Sequence, residues 1–273
     1  AAGEIQITSG EALTVGVLST AATAQTISIV TDTNANLTWS GASTLDDAVT
    51  LGGAGTGVLT IGANQTVGSL TGTGDSVVVS NTVTTANSTT SGTPSGNISL
   101  TADLSTIALN NNLTTGNATI ADTVAAESAV TGNISLTAAT GISGAGVLTT
   151  GTASFTGADA GTGADTATSG NIVLNVTGAG DVGLSGVNAL TIGAATGNVG
   201  ATLLTATTGN ITVTSADRVN NGTPGSALDV SFGTASLGST NTAGSLAITT
   251  DGGAGAAGEI QITSGEALTV GVL

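Results

Sequence analysis

SGNISLTA at residues 95–102 returns as TGNISLTA at 131–138, SGNIVLNV at 169–176 and TGNITVTS at 208–215. Looser copies are TGNATIAD at 115–122, AGSLAITT at 243–250 and AGEIQITS at 2–9. In each phrase two apolar residues flank one other residue, a period of two, which is the signature of a strand with one buried face. In the first phrase Ile98 and Leu100 then point inward, and Asn97, Ser99 and Thr101 point to solvent.

Aligning such pairs along the chain gives Ile5/Ile7, Ile27/Ile29, Val49/Leu51, Val77/Val79, Ile98/Leu100, Ala118/Ile120 and Ile134/Leu136. The series continues through Ala153/Phe155, Ile172/Leu174, Leu190/Ile192, Ile211/Val213, Leu228/Val230 and Leu246/Ile248, and restarts at Ile260/Ile262. Thirteen steps between Ile5 and Ile260 make 255/13, or about 20 residues each. That is too short for a helix pair and fits one coil of a solenoid, so the pattern predicts an all-β parallel β-helix of about thirteen coils per 255 residues. Second apolar runs such as ALTV at 12–15, LTWS at 37–40 and VLTI at 58–61 would supply further faces, and two-sided and three-sided coils both remain open.

Parallel stacking brings equivalent residues together from coil to coil. The residue inside the apolar pair is Ser or Thr in eight of the thirteen steps, a small side chain that tolerates a neighbour about 4.8 Å away where like charges would repel. Gly96, Gly132, Gly170 and Gly209 precede the strands as expected corners that need positive φ or no Cβ. Asn97, Asn133, Asn171 and Asn210 follow them, and stacked Asn amides are expected to form a hydrogen-bonded ladder. The core ladder is read as Ile5, Ile7, Ile27, Ile29, Ile98, Leu100, Ile134, Leu136, Ile172, Leu174, Ile211, Val213, Leu246 and Ile248.

AAGEIQITSGEALTVGVL stands at residues 1–18 and again, unchanged, at 256–273. The expected organisation is therefore one solenoid repeat at 1–255 and the start of an identical repeat at 256–273, within a longer tandem array whose copies stack end to end.

Composition narrows the functional classes. Aromatic residues make up 1% of the chain and the apolar 39% is largely Ala, Val, Leu and Ile, which suits a narrow, elongated core better than a spherical one. Arg218 is the only cation against a net charge of −16, so no patch exists to bind nucleic acid or anionic membrane surfaces. No apolar run reaches the length of a membrane span, so no membrane insertion is expected. Without Cys there is no disulfide, and a chain without Cys or Lys is compatible with an extracellular setting.

Catalysis has little to draw on without His, Lys, Cys or Tyr. The closest charged pairs, Asp46 with Asp47, Asp159 with Asp165 and Asp217 with Arg218, read as solvated loop charges, and no catalytic residue is assigned. No cofactor is expected; calcium, the one candidate, finds neither a DxDxDG loop nor a GGxGxDxUx repeat, and Asp32, Asp46, Asp47, Asp159, Asp165 and Asp251 are read as solubilising charge. A Thr-x-Thr face suited to ice appears among the phrases only at Thr212/Thr214, with Asp229 interrupting the row. Trp39 is expected to fill a wider coil, the alternative being a sugar-stacking platform.

At GNISLTA, GNIVLNV and GNITVTS the chain resembles the repeat regions of filamentous-haemagglutinin-type and autotransporter-like bacterial adhesins. The resemblance implies a right-handed parallel β-helix in a secreted, surface-associated stalk. The function expected is a structural, non-catalytic extracellular filament or adhesin stalk at the cell surface. The alternative is a carbohydrate- or ice-binding surface. Partners would be further copies of the repeat, with lateral filament contacts or surface glycans.

Overall fold

The structure, a computed structural model, describes residues 4–20, 25–123, 126–156, 165–196, 204–215, 219–220, 228–232, 235–236, 240–242, 246–250 and 262–264. The protein is all-β, and among the described residues every strand pairing is parallel, as a β-solenoid requires.

Among the described residues five sheets run along the axis. Sheet I has nine strands: Ile5–Ser9, Thr26–Thr31, Ala48–Gly52, Ser69–Gly74, Ile98–Ala102, Ile134–Ala138, Ile172–Val176, Ile211–Ser215 and Leu246–Thr250. Sheets II and III have eight strands each and sheets IV and V four each. An early coil runs through Thr26–Thr31, Leu37–Trp39 and Ser43–Thr44 on sheets I, II and III, then returns to sheet I. A later coil adds two faces: Ile98–Ala102, Thr106–Leu109, Leu113–Thr114, Ala118–Ala121 on sheet IV and Ser128–Val130 on sheet V.

Coil length follows the number of faces. The equivalent residues of sheet I, Ile5, Ile27, Val49, Leu70, Ile98, Ile134, Ile172, Ile211 and Leu246, are in register and lie 22, 22, 21, 28, 36, 38, 39 and 35 residues apart. This corrects the expectation of thirteen coils averaging about 20 residues. Val77/Val79 lies on sheet II, Ala118/Ile120 and Ala153/Phe155 on sheet IV, and Leu190/Ile192 and Leu228/Val230 on sheet III. Counting apolar pairs had counted faces as well as turns.

The missed strand, Ser69–Gly74, has a physical cause. Its second inward position is Gly72, between Leu51 and Leu100 in the stack, so the alternation is blank where the core continues. Leu59 and Leu100 fill that space: a methyl on Gly72 would lie 2.8 Å from Leu100 Cδ2 and 2.9 Å from Leu59 Cδ2.

The main core lies between sheets I, II and III and is built from stacked Ile, Leu and Val. Ile98, Leu100, Ile134, Leu136, Ile172, Leu174, Ile211 and Val213 are wholly buried, and Ile5 and Ile7 are half-buried at the first level. Each such burial contributes about 2 kcal/mol against the entropy of ordering the chain. Trp39 is buried too, stacked between Val15 and Ile61, but in a narrow three-sided coil instead of a wide one.

Sheets IV and V enclose a second, thinner core of Ala118, Ile120, Ala129, Ala153, Phe155, Ala167, Ala195 and Ala206. The rod thus carries a side lobe from its fifth coil onward. Segment 86–97 covers the lobe's first edge: Ser88 pairs with Ala118, Gly92 N–H donates to the Ser128 carbonyl at 2.9 Å and Ser95 N–H to that of Val130 at 3.1 Å.

The described residues of the second opening sequence fall on another face. Ile262–Ser264 pairs with Leu228–Val230 on sheet III, whereas its counterpart Ile7–Ser9 lies on sheet I. Leu246 and Ile260 are 14 residues apart, fewer than the 21 of the shortest coil, so a turn cannot close on sheet I there.

Filling the gap in the pattern should damage the fold. Gly72→Leu is expected to cost about 1 to 3 kcal/mol by overpacking. Leu100→Ala alone should cost about 2 to 5 kcal/mol. The double variant should fall clearly short of the sum, because each change relieves the other, and urea midpoints of the four proteins measure the coupling.

Candidate functional site

The phrase residues form three kinds of column. The first is at the waist between rod and lobe, which each wide coil crosses outward at Thr115–Gly116 and inward at Thr131–Gly132. Here the hydroxyl before each Gly is buried and bonds in two directions. Thr115 Oγ1 donates across the waist to the Gly132 carbonyl at 3.0 Å and accepts from Gly151 N–H in the next coil at 2.9 Å. Ser95 Oγ donates to the Gly116 carbonyl at 2.6 Å and accepts from Gly132 N–H at 2.8 Å. Thr85 does the same with Gly96 and Gly116, and Thr131, Ser169 and Thr150 accept from Gly170, Gly209 and Gly193.

Gly96, Gly132, Gly170 and Gly209 stack on one another here, over Gly68 in the narrower rod below. A Cβ on Gly132 would overlap the Gly96 carbonyl oxygen, and one on Gly170 or Gly209 the carbonyl of the glycine below. Of the two reasons the sequence left open, the missing Cβ is the one that applies.

The second column is Asn97, Asn133, Asn171 and Asn210, all exposed. The Oδ1 of each of the first three accepts from the backbone N–H of the next Asn at 2.7 Å. The ladder therefore runs chiefly from side chain to backbone, correcting the expected amide-to-amide stack; one amide pair, Asn171 Nδ2 to Asn133 Oδ1 at 3.3 Å, adds to it. A parallel column joins Asn87 Oδ1 to Asn117 N–H and Asn117 Oδ1 to Thr152 N–H, both at 2.8 Å.

The third kind is the hydroxyl columns on the outer faces. On sheet III, Thr44, Thr66, Thr84, Thr114, Thr149 and Thr191 lie in one file with Ser231 next. Sheet V pairs them two abreast: Thr166/Thr168 stands in register with Thr205/Thr207, and these with Thr240/Thr242. Ala167 and Ala206 are buried between the first two pairs, which turns their four threonines outward. Sequence reading missed this lattice because it compared only residues within each phrase; the preceding DTAT at 165–168 and LTAT at 204–207, 39 residues apart, carried the signal. On sheet I the outward file is Ser28, Thr50, Thr71, Ser99, Ser135, Val173 and Thr212, and Thr71/Thr73 is a Thr-x-Thr pair besides Thr212/Thr214. Asp229 lies on sheet III and does not interrupt that file.

The carboxylates separate rather than converge. Asp47 is buried and accepts from Thr20 Oγ1 and Gln25 N–H, both at 2.6 Å, while neighbouring Asp46 is exposed. Asp165 Oδ1 accepts from Glu127 N–H at 2.7 Å. Asp32 is exposed and caps the next backbone N–H at 2.8 Å. Asp159, Asp217, Arg218 and Asp251 lie outside the described residues. Among the described residues no group of three or more acids is gathered as a metal ion would need, and no helix is long and apolar enough to cross a membrane. Trp39, wholly buried, is no platform for a sugar; its Nε1–H has no partner in the core. No protein-family model matches the chain, and neither does a curated protein or a solved structure.

Gly132→Ala should lower stability by about 3 kcal/mol because backbone has to move. Gly10→Ala, with open space around it, should stay within about 0.5 kcal/mol. Thr115→Val should cost about 2 kcal/mol or more by leaving the Gly132 carbonyl and Gly151 N–H unpaired. Faster amide exchange at Gly151, reversed in Thr115→Ser, would locate that loss at the waist.

Proposed function

We propose that the chain is a structural, non-catalytic segment of an extracellular filament or adhesin stalk at the cell surface, assembled from tandem copies of residues 1–255. The observation that carries this reading is the unbroken parallel register of sheet I from Ile5 to Leu246, which extends the molecule along one axis only. Stability in such a stack is a sum over neighbouring coils, so length is added without enlarging a core. The resemblance to adhesin repeat regions supports the same role and its surface location. A chain whose one cation is Arg218 also offers trypsin-like proteases almost no cleavage site.

Eight strand spacings of about 4.8 Å separate Ile5 from Leu246, about 40 Å in all. Electron microscopy of chains with increasing numbers of the 1–255 unit should show rods that lengthen by about 40 Å per copy; thirteen coils would have added about 60 Å. Because residues 262–264 pair on sheet III where 7–9 pair on sheet I, the side lobes should step round the rod by one face from copy to copy. Compact particles whose longest dimension does not grow with copy number would remove the proposal.

A second reading, an ice-binding face, is favoured by the paired threonines of sheet V. The hydroxyls and methyls of Thr166, Thr168, Thr205 and Thr207 form a lattice spaced about 4.8 Å between strands and about 6.7 Å along them, able to order water in two directions. If that is their role, ice-recrystallisation inhibition should vanish in the Thr166→Lys/Thr205→Lys double variant and survive Thr84→Lys on sheet III.

A further inference from the structure

At the level where three-sided coils give way to five-sided ones, segment 86–97 overhangs the narrower rod below it. The step encloses an open groove of about 620 Å³, within the range of ligand sites. Asp46, Ala48 and Ser69 form its floor and Asn87, Thr93 and Asn97 its roof. We infer that this groove is a binding site for a neutral oligosaccharide.

The roof is held rigid. Ser88 Oγ donates to the Thr93 carbonyl at 2.6 Å and Thr93 N–H to the Thr90 carbonyl at 3.1 Å, with Pro94 following. Asn87 and Asn97 each commit Oδ1 to the next coil, at 2.8 and 2.7 Å, which fixes the amide planes and leaves both Nδ2 groups as oriented donors. In the same groove, neither carboxylate oxygen of exposed Asp46 has a hydrogen-bond partner among the described residues, and the Ser69 hydroxyl is equally unengaged. A carboxylate and two anchored amides lining one groove offer what a polyol needs: a carboxylate takes two neighbouring hydroxyls, and the amides donate to hydroxyl or ring oxygens.

Charge and shape exclude other occupants. A net charge of −16 disfavours acidic glycans and phosphates. One carboxylate does not make the six to eight oxygen ligands that calcium takes. Pre-set donors lower the ordering cost that weak polar sites usually carry. The site lies within a single repeat and does not depend on the stalk reading, so failure of rods to lengthen would leave it standing.

The test is calorimetric titration of the full chain with chitotetraose, maltotetraose, cellotetraose and an oligogalacturonate. At least one neutral oligosaccharide should bind, and the oligogalacturonate should not. Asp46→Ala should weaken binding about tenfold or more. Ser69→Trp should abolish it by filling the floor, and Thr44→Ala, on sheet III outside the groove, should leave it unchanged, with circular dichroism showing each variant folded. Absence of binding by every neutral sugar, tighter binding of the acidic one, or affinity that survives both Asp46→Ala and Ser69→Trp would overturn the assignment.

Discussion

Backbone hydrogen bonds parallel to the axis hold each coil about 4.8 Å from the next, and every other feature answers to that spacing. A residue in such a stack meets its own equivalent above and below, so only side chains compatible with themselves at that distance recur. Branched aliphatics satisfy the condition inside, as the file from Ile27 through Val49, Leu70, Ile98 and Ile134 to Ile172 illustrates. Outside, Ser and Thr satisfy it, and at the corners Asn does, because its Oδ1 reaches the N–H one level up. Like charges cannot, and a charged share of 7% follows from the same constraint.

Two cores of different thickness coexist under this rule. The rod interior takes Ile, Leu, Val and Trp39, while sheets IV and V close over a file made mostly of Ala. Small side chains bring those two sheets near each other and contribute little apolar area, so the lobe relies on its attachment. The waist supplies it: stacked glycines allow the outgoing and returning backbones to meet, and buried hydroxyls bond the carbonyls and amides that this closeness would leave unpaired. Rod and lobe are thereby one hydrogen-bonded body rather than two solenoids side by side.

The surface follows from the same economy of side chains. With so few charges, recognition falls to hydroxyls and amides whose positions are set by the stack. Regular faces such as sheet V repeat one chemistry over and over, whereas the step beneath segment 86–97 is where the cross-section changes and different groups come to face one another. A stalk and a local binding site are compatible in such a molecule, since one uses the repetition and the other its interruption.

Much of this was legible in the chain. Period-two phrases, their hydroxyl and Asn positions and the preference for parallel stacking are local properties, and each residue of sheet I picked from a phrase, from Ile5 to Ile248, can be named without coordinates. What the letters could not say is which face a strand occupies. Val77/Val79 on sheet II and Ala153/Phe155 on sheet IV alternate just as Ile98/Leu100 does, because alternation records burial of one side of a strand and is the same on every face. The number of faces per turn, and with it coils of 21 residues in one place and 39 in another, is decided by where the chain closes on itself. Closure is a contact between residues a whole turn apart, and only the tertiary structure brings them together.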